Sequence, residues 1–135
     1  MTPIPFPRPL INQILQQAQQ AEDSEICGLV SARSGQPAHC YPVANAAEKP
    51  THRFRMHPQQ QIEAMRQIRE RGEELFAIYH SHPHTPAVPS ATDLREATYP
   101  DVLYIIISLA TEGTLEMRGF HLKNGNTEDV DFVVA

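Results

Sequence analysis

The sequence predicts an α/β domain in which a mixed β-sheet is flanked by helices. Three observations point there. Segments of helical spacing and short apolar segments follow one another in the order helix, three strands, helix, strand, loop, helix, three strands. The stretch "LFAIYHSH" (75–82) is apolar enough to be a central strand. Finally, 135 residues with 41% hydrophobic and 20% charged content suit one ordinary domain with a real core.

The elements follow in chain order. Prolines at positions 3, 5, 7 and 9 mark residues 1–9 as an extended arm of a single 1–135 domain. Leu10, Ile11, Ile14, Leu15 and Ala18 then recur at helical spacing, and the helix ends near Asp23. "ICGLVSAR" (26–33) reads as a buried strand, with Gly35 and Pro37 marking a turn. "AHCYPVAN" (38–45) is a second strand, and Pro42 places it at an edge. "HRFRM" (52–56), short and alternating, is a third. Pro58 suits a first helical turn; Ile62, Met65 and Ile68 continue the helix and Gly72 closes it. Pro83 ends the central strand, and Ser90 caps a short helix through Ala97. "VLYIIISLA" (102–110), "LEMRGFHL" (115–122) and "EDVDFVV" (128–134) supply the last three strands.

Charge and composition narrow the function. A formal net charge of −5 repels phosphate backbones, so no nucleic-acid partner is expected. No apolar run approaches the roughly 20 residues that span a bilayer, and no membrane role is expected. The N-terminus lacks the regions of a signal peptide. Two free thiols, Cys27 and Cys40, are a simpler reading than one disulfide and suit a cytoplasmic protein.

The chemistry concentrates in "YHSHPHTPAVPSATD", residues 79–93. His80 and His82 are two apart at a strand end, so both imidazoles point to one face, roughly 6.6 Å apart along the chain. Two such rings can converge on one ion. A catalytic zinc keeps three protein ligands and one open position, and Asp93 is the nearest candidate for the third ligand. Prolines 86 and 89 stiffen the loop that returns the chain to deliver it. Taken singly, Ser90 and Asp93 read as a helix cap, which leaves one Asp93 oxygen free, and Glu25 reads as a surface carboxylate.

In combination the residues say more. Glu25 in "SEICGLV", then "HSHP" (80–83), six residues, Ser90, two residues and Asp93 resemble the signature of the JAMM (MPN+) metalloprotease family, over roughly residues 10–120. The resemblance implies a cytidine-deaminase-like JAMM/MPN fold and hydrolysis of peptide or isopeptide bonds beside ubiquitin-like proteins. It implies one zinc per chain, held by His80, His82 and Asp93, with Glu25 as the general base on zinc-bound water and Ser90 as the oxyanion donor. The short chain is similar to compact prokaryotic members, which cut after the C-terminal Gly-Gly of ubiquitin-like sulfur-carrier proteins. An extended substrate tail would then add to a strand edge. The edge of "THRFRM" is most available, with Arg53 and Arg55 meeting acidic groups, though arginines there also guard against aggregation.

Two other classes of function remain open: a metal-free scaffold of the same fold, and a zinc amidase acting on a small molecule. Deamination is disfavoured because the Pro-Cys-x-x-Cys element of zinc deaminases is absent from the sequence. His84 reads as a loop residue, and His39, His52, His57 and His121 as surface or hydrogen-bonded. Cys27 reads as a buried small residue, and Ser81, on the opposite sheet face, as a packing or supporting group.

Overall fold

A computed structural model describes residues 3–21, 23–110, 115–123 and 125–135. The N-terminal arm is extended and docked: β1 (Ile4–Phe6) pairs in parallel with β8 (Phe132–Val134), and the Phe6 and Phe132 rings meet edge-on at 5.4 Å. Met1 and Thr2, the first residues of that arm, lie outside the described residues. Helix α1 (Arg8–Gln20) begins with a proline in its first turn and buries Leu10, Ile14 and Ala18, the stripe its spacing predicts.

Strands β2 (Cys27–Arg33) and β3 (Gln36–Val43) form a hairpin whose two turn residues, Ser34 and Gly35, sit at φ 52° and 78°. Those left-handed values match the twist of tight hairpins. Helix α2 (Pro58–Glu70) follows, and then β4 (Glu74–His82), α3 (Ala91–Glu96), β5 (Leu103–Ser108), β6 (Glu116–Lys123) and β7 (Asn126–Val130). The main sheet runs β3-β2-β4-β5-β6-β7, with β4 and β5 parallel and the other neighbours antiparallel. Parallel strands need a crossover. Here α3 and its flanking loops supply it, at the carboxyl end of β4, where open α/β sheets place their ligands.

Each sheet face has its own core. Phe6, Leu10, Ile14, Tyr79 and Ile105 pack on the α1 side; Leu29, Tyr41, Ile68, Ile78 and Ile106 pack on the α2 side. Alternation along β4 sends Tyr79 to one face and Ile78 to the other, so His80 and His82 follow Ile78 toward α2. Tyr79 lies flat across Gly28, its partner in β2. A Cβ built on Gly28 would stand 2.2 Å from the tyrosine oxygen and 2.6 Å from the Tyr41 carbonyl. The Tyr79 hydroxyl donates to Gln17 of α1 at 2.6 Å and accepts from the Cys40 thiol at 3.2 Å.

Two expectations fail. Residues 52–56 are not a strand; only Met56 bridges to Asn45, and the edge proposed for a substrate tail is absent. The backbone there is taken by a turn, where His52 and Arg53 N–H groups donate to the Lys49 carbonyl. The Asn45 side chain takes more of it, donating to Arg53 O and accepting from Arg55 N–H. The single strand expected over 128–134 is two, β7 on β6 and β8 on β1, because the chain changes sheets at Asp131. Among the described residues no helix is long and apolar enough to cross a membrane.

Candidate metal centre

At the end of β4 the Nε2 atoms of His80 and His82 lie 3.2 Å apart. His82 Nδ1 is 2.8 Å from the Pro86 carbonyl. A carbonyl only accepts, so Nδ1 carries a proton; Nε2 donates to Asp93 when the ring is doubly protonated and offers a lone pair once it is neutral. Facing it is Asp93, with Oδ2 at 3.0 Å from His82 Nε2 and Oδ1 at 3.2 Å from His80 Nε2. Asp93 is fixed by a reciprocal cap on α3: its N–H donates to Ser90 Oγ at 3.0 Å, and the Ser90 N–H donates to Asp93 Oδ2 at 2.9 Å. Capping and contact with the histidines are thus compatible, as the sequence suggests.

Glu25 approaches from the segment before β2. Its N–H donates to Pro50 O at 2.7 Å and its carbonyl accepts from Asn45 Nδ2 at 2.9 Å. The residue is 5% exposed, and Oε1 has no hydrogen-bond partner among the described residues. One ligand atom each from Glu25, His80 and His82 lies within 4.8 Å of the others. Ser81, fully buried between the two histidines, accepts from the Ile26 N–H at 2.9 Å and donates its own N–H to Ile26 O at 3.0 Å. It fastens the residue next to Glu25, the supporting role expected of it.

The electrostatics call for a positive charge. Burial disfavours protonated His80 and holds its pKa below the usual value despite Asp93. Burial also opposes charge on His82, but the Asp93 contact, the Pro86 carbonyl and the charges of Asp93 and Glu25 outweigh it and raise that pKa. Burial works against ionised Asp93 too, yet its bonds to both imidazoles hold it well below the carboxylate range. Glu25 is pushed up to about 7 by burial, with His82 pulling it down and Asp93 adding to the rise. Two converging imidazole nitrogens, which offer lone pairs once a metal displaces their shared protons, with an ionised carboxylate and a carboxylate oxygen left without a partner among the described residues, fit zinc.

Other sequence candidates fall outside. His84 is an exposed side chain 3.5 Å from Asp23. His39 binds Glu73 at the far end of the sheet, and His57 caps α2 by accepting from Gln60 N–H at 3.4 Å. The Cys27 thiol donates to Val43 O and is pushed up to about 12 by burial and the nearby Glu25, so it is a poor nucleophile. The sequence reading missed Phe54, whose ring stacks on His80 with centroids 4.4 Å apart and planes 22° apart. It also missed Asn45. The only signal for Phe54 is a lone aromatic in the polar stretch "THRFRM".

Two imidazoles and two carboxylates gathered at the crossover of a mixed sheet define a metallopeptidase of the JAMM type. The profile of the family described as prokaryotic homologs of the JAB domain matches residues 7–120, and the chain belongs to that family. The fold is accordingly the JAMM/MPN one that the sequence implies. The chain is 31% identical over 118 residues to the CysO-cysteine peptidase of Mycobacterium tuberculosis, covering 86% of this chain and 80% of that protein. It is 35% identical over 89 residues to the desampylase of Haloferax volcanii, covering 63% of each. Among solved structures, a protein from Desulfitobacterium hafniense superposes with a TM-score of 0.87 at 32% identity, over 98% of this chain and 92% of that one.

Proposed function

We propose that this metallopeptidase hydrolyses the peptide or isopeptide bond after the C-terminal Gly-Gly of a ubiquitin-like or sulfur-carrier protein. The observation that carries the reading is the convergence of His80, His82 and Asp93 beside a Glu25 oxygen that has no partner among the described residues. Kinship with a CysO-cysteine peptidase and a desampylase supports the substrate class. In this reading His80, His82 and Asp93 hold one zinc per chain. Bound there, zinc supplies a Lewis acid that polarises a carbonyl and acidifies water.

The rest is done by the chain. Glu25, held beside the histidines by its backbone contacts, takes a proton from the attacking water and returns it to the departing nitrogen. Ser90 Oγ already accepts the Asp93 N–H, so its hydroxyl proton is free for the developing oxyanion. Asn45, Pro50 and Ser81 hold the backbone at Glu25 and Ile26, which keeps the base from drifting. We place this activity in the cytoplasm, a reading supported by two cysteines that remain free thiols.

A ubiquitin-like protein carrying extra residues after Gly-Gly tests the proposal. Mass spectrometry should show a cut after the second glycine and none in an unrelated unfolded protein. His80→Ala and His82→Ala should lose zinc and cleavage together. Equal cutting of the unrelated protein would sink the substrate class, and full cleavage after verified metal removal would sink the chemistry.

A further inference from the structure

We infer that Phe54 is a positioning residue for the metal centre: its ring, brought in by the segment between β3 and α2, sets the orientation of the His80 imidazole. The inference rests on the reading of His80 as a metal ligand. The two histidines are supported differently. His82 is pinned through its outer nitrogen, with Nδ1 2.8 Å from the Pro86 carbonyl. The outer nitrogen of His80, Nδ1, is buried and has no hydrogen-bond partner among the described residues. Metal-bound histidines almost always use that second nitrogen to fix the ring, and losing such support commonly weakens metal binding 10–100-fold. Rotation of the His80 ring is limited instead by the near-parallel face of Phe54, at 4.4 Å and 22°.

A stack can orient a ligand only if its own position is fixed, and Phe54 is bracketed on both sides. The carbonyl of Arg53 accepts from Asn45 Nδ2 at 3.0 Å, and the N–H of Arg55 donates to Asn45 Oδ1 at 3.0 Å. The Arg55 carbonyl accepts from Ala46 N–H at 2.7 Å. The Arg53 guanidinium pairs with Glu96 on α3, the helix that carries Asp93. The same Asn45 amide also holds the Glu25 carbonyl, so one side chain locks the aromatic support and the base in a common frame.

The test uses Phe54→Leu, Phe54→Met and Phe54→Tyr. Zinc affinity is measured by competition with a chromophoric chelator, and the geometry around the metal by the visible absorption of the cobalt-substituted protein. Phe54→Leu and Phe54→Met should bind zinc about 10-fold or more weakly and shift the cobalt bands, with the metal-free melting temperature little changed. Phe54→Tyr, which keeps the ring, should restore both to within about twofold. Wild-type zinc affinity and cobalt bands in whichever of the two aliphatic variants folds would overturn the inference, even if cleavage fell. A wild-type protein that binds no zinc would instead overturn the metal reading beneath it.

Discussion

Two buried glutamates stand at opposite ends of the central strands, and they are treated in opposite ways. Glu25 is 5% exposed and Glu73 is 7% exposed, so surface exposure does not separate them. Depth does in part, since Glu25 lies deeper, and partners do the rest. Oε1 of Glu73 accepts from Ser31 Oγ at 2.8 Å and from Tyr41 hydroxyl at 3.4 Å; Oε2 meets Arg33 at 3.0 Å and His39 at 2.8 Å. Burial works to raise the Glu73 pKa, but the Ser31 and His39 bonds and the His39 and Arg33 charges prevail and hold it below the ordinary value. Glu25, with Oε1 unpartnered among the described residues, is pushed up to about 7 by burial, with His82 opposing the rise and Asp93 adding to it. A satisfied buried carboxylate is architecture. An unsatisfied one beside two imidazoles is what the proposed general base requires.

The sharpest way to break this contrast is Glu25→Gln, which keeps the shape and removes the carboxylate proposed to carry the proton. Turnover should fall by about 10²–10⁴ while zinc stoichiometry and fold persist. Loss of zinc in that variant would make Glu25 a ligand, and an unchanged rate would move the base elsewhere.

The second effect is on stability in the metal-free protein. The Glu25 pKa is raised from 4.5 to about 7, so the folded state binds the proton more tightly than the unfolded one. Wild-type stability should therefore decline between about pH 4.5 and 7 relative to Glu25→Gln, by on the order of 3 kcal/mol, and then level off. Denaturant titrations of the two proteins at pH 4.5 and 8 measure the difference. A gap that does not widen with pH would show that the Glu25 carboxyl is not destabilised by its site.

The smallest effect belongs to Glu73→Gln, which puts an amide where Arg33 and His39 expect an acceptor. It should lose about 1–3 kcal/mol of stability with kcat little changed. Here the sign with pH reverses. The folded pKa is lowered, so its stabilisation is present above the unfolded value of about 4.5 and is lost as pH falls through the folded one. Chemical unfolding at pH 7 and below pH 4 checks both statements. A Glu73 variant that lost activity without losing stability would make the two carboxylates alike after all.

What was legible in the sequence is what local spacing encodes. Alternation along β4 placed His80 and His82 on one face, and the Ser90 to Asp93 interval gave the cap that delivers the carboxylate. Glu25 needed the family resemblance, because nothing in one carboxylate before a strand says that its oxygen will lie within 4.8 Å of two imidazoles. Asn45, Phe54 and Glu73 were illegible for a related reason. Each works through contacts made across the fold: Asn45 with Glu25, Phe54 with His80, Glu73 with Ser31 and His39. The missed split at Asp131 and the strand wrongly expected over 52–56 are similar. Residue pattern proposes a strand there, and a side-chain amide or a second sheet claims the backbone.

The bare position at Gly28 limits how far this centre can be transplanted. Tyr79 rests where a side chain would be and reaches Gln17 of α1, so β4 is levelled against that helix one residue before His80. A designer copying Glu25, His80, His82, Ser90 and Asp93 into another sheet would be copying the visible half of a fitting. With alanine opposite the tyrosine, a Cβ 2.2 Å from its oxygen would force the ring or the strand to give way. The histidines would then arrive tilted, correct in identity and wrong in aim. The portable unit is the five residues together with the empty place on the reverse side of the sheet.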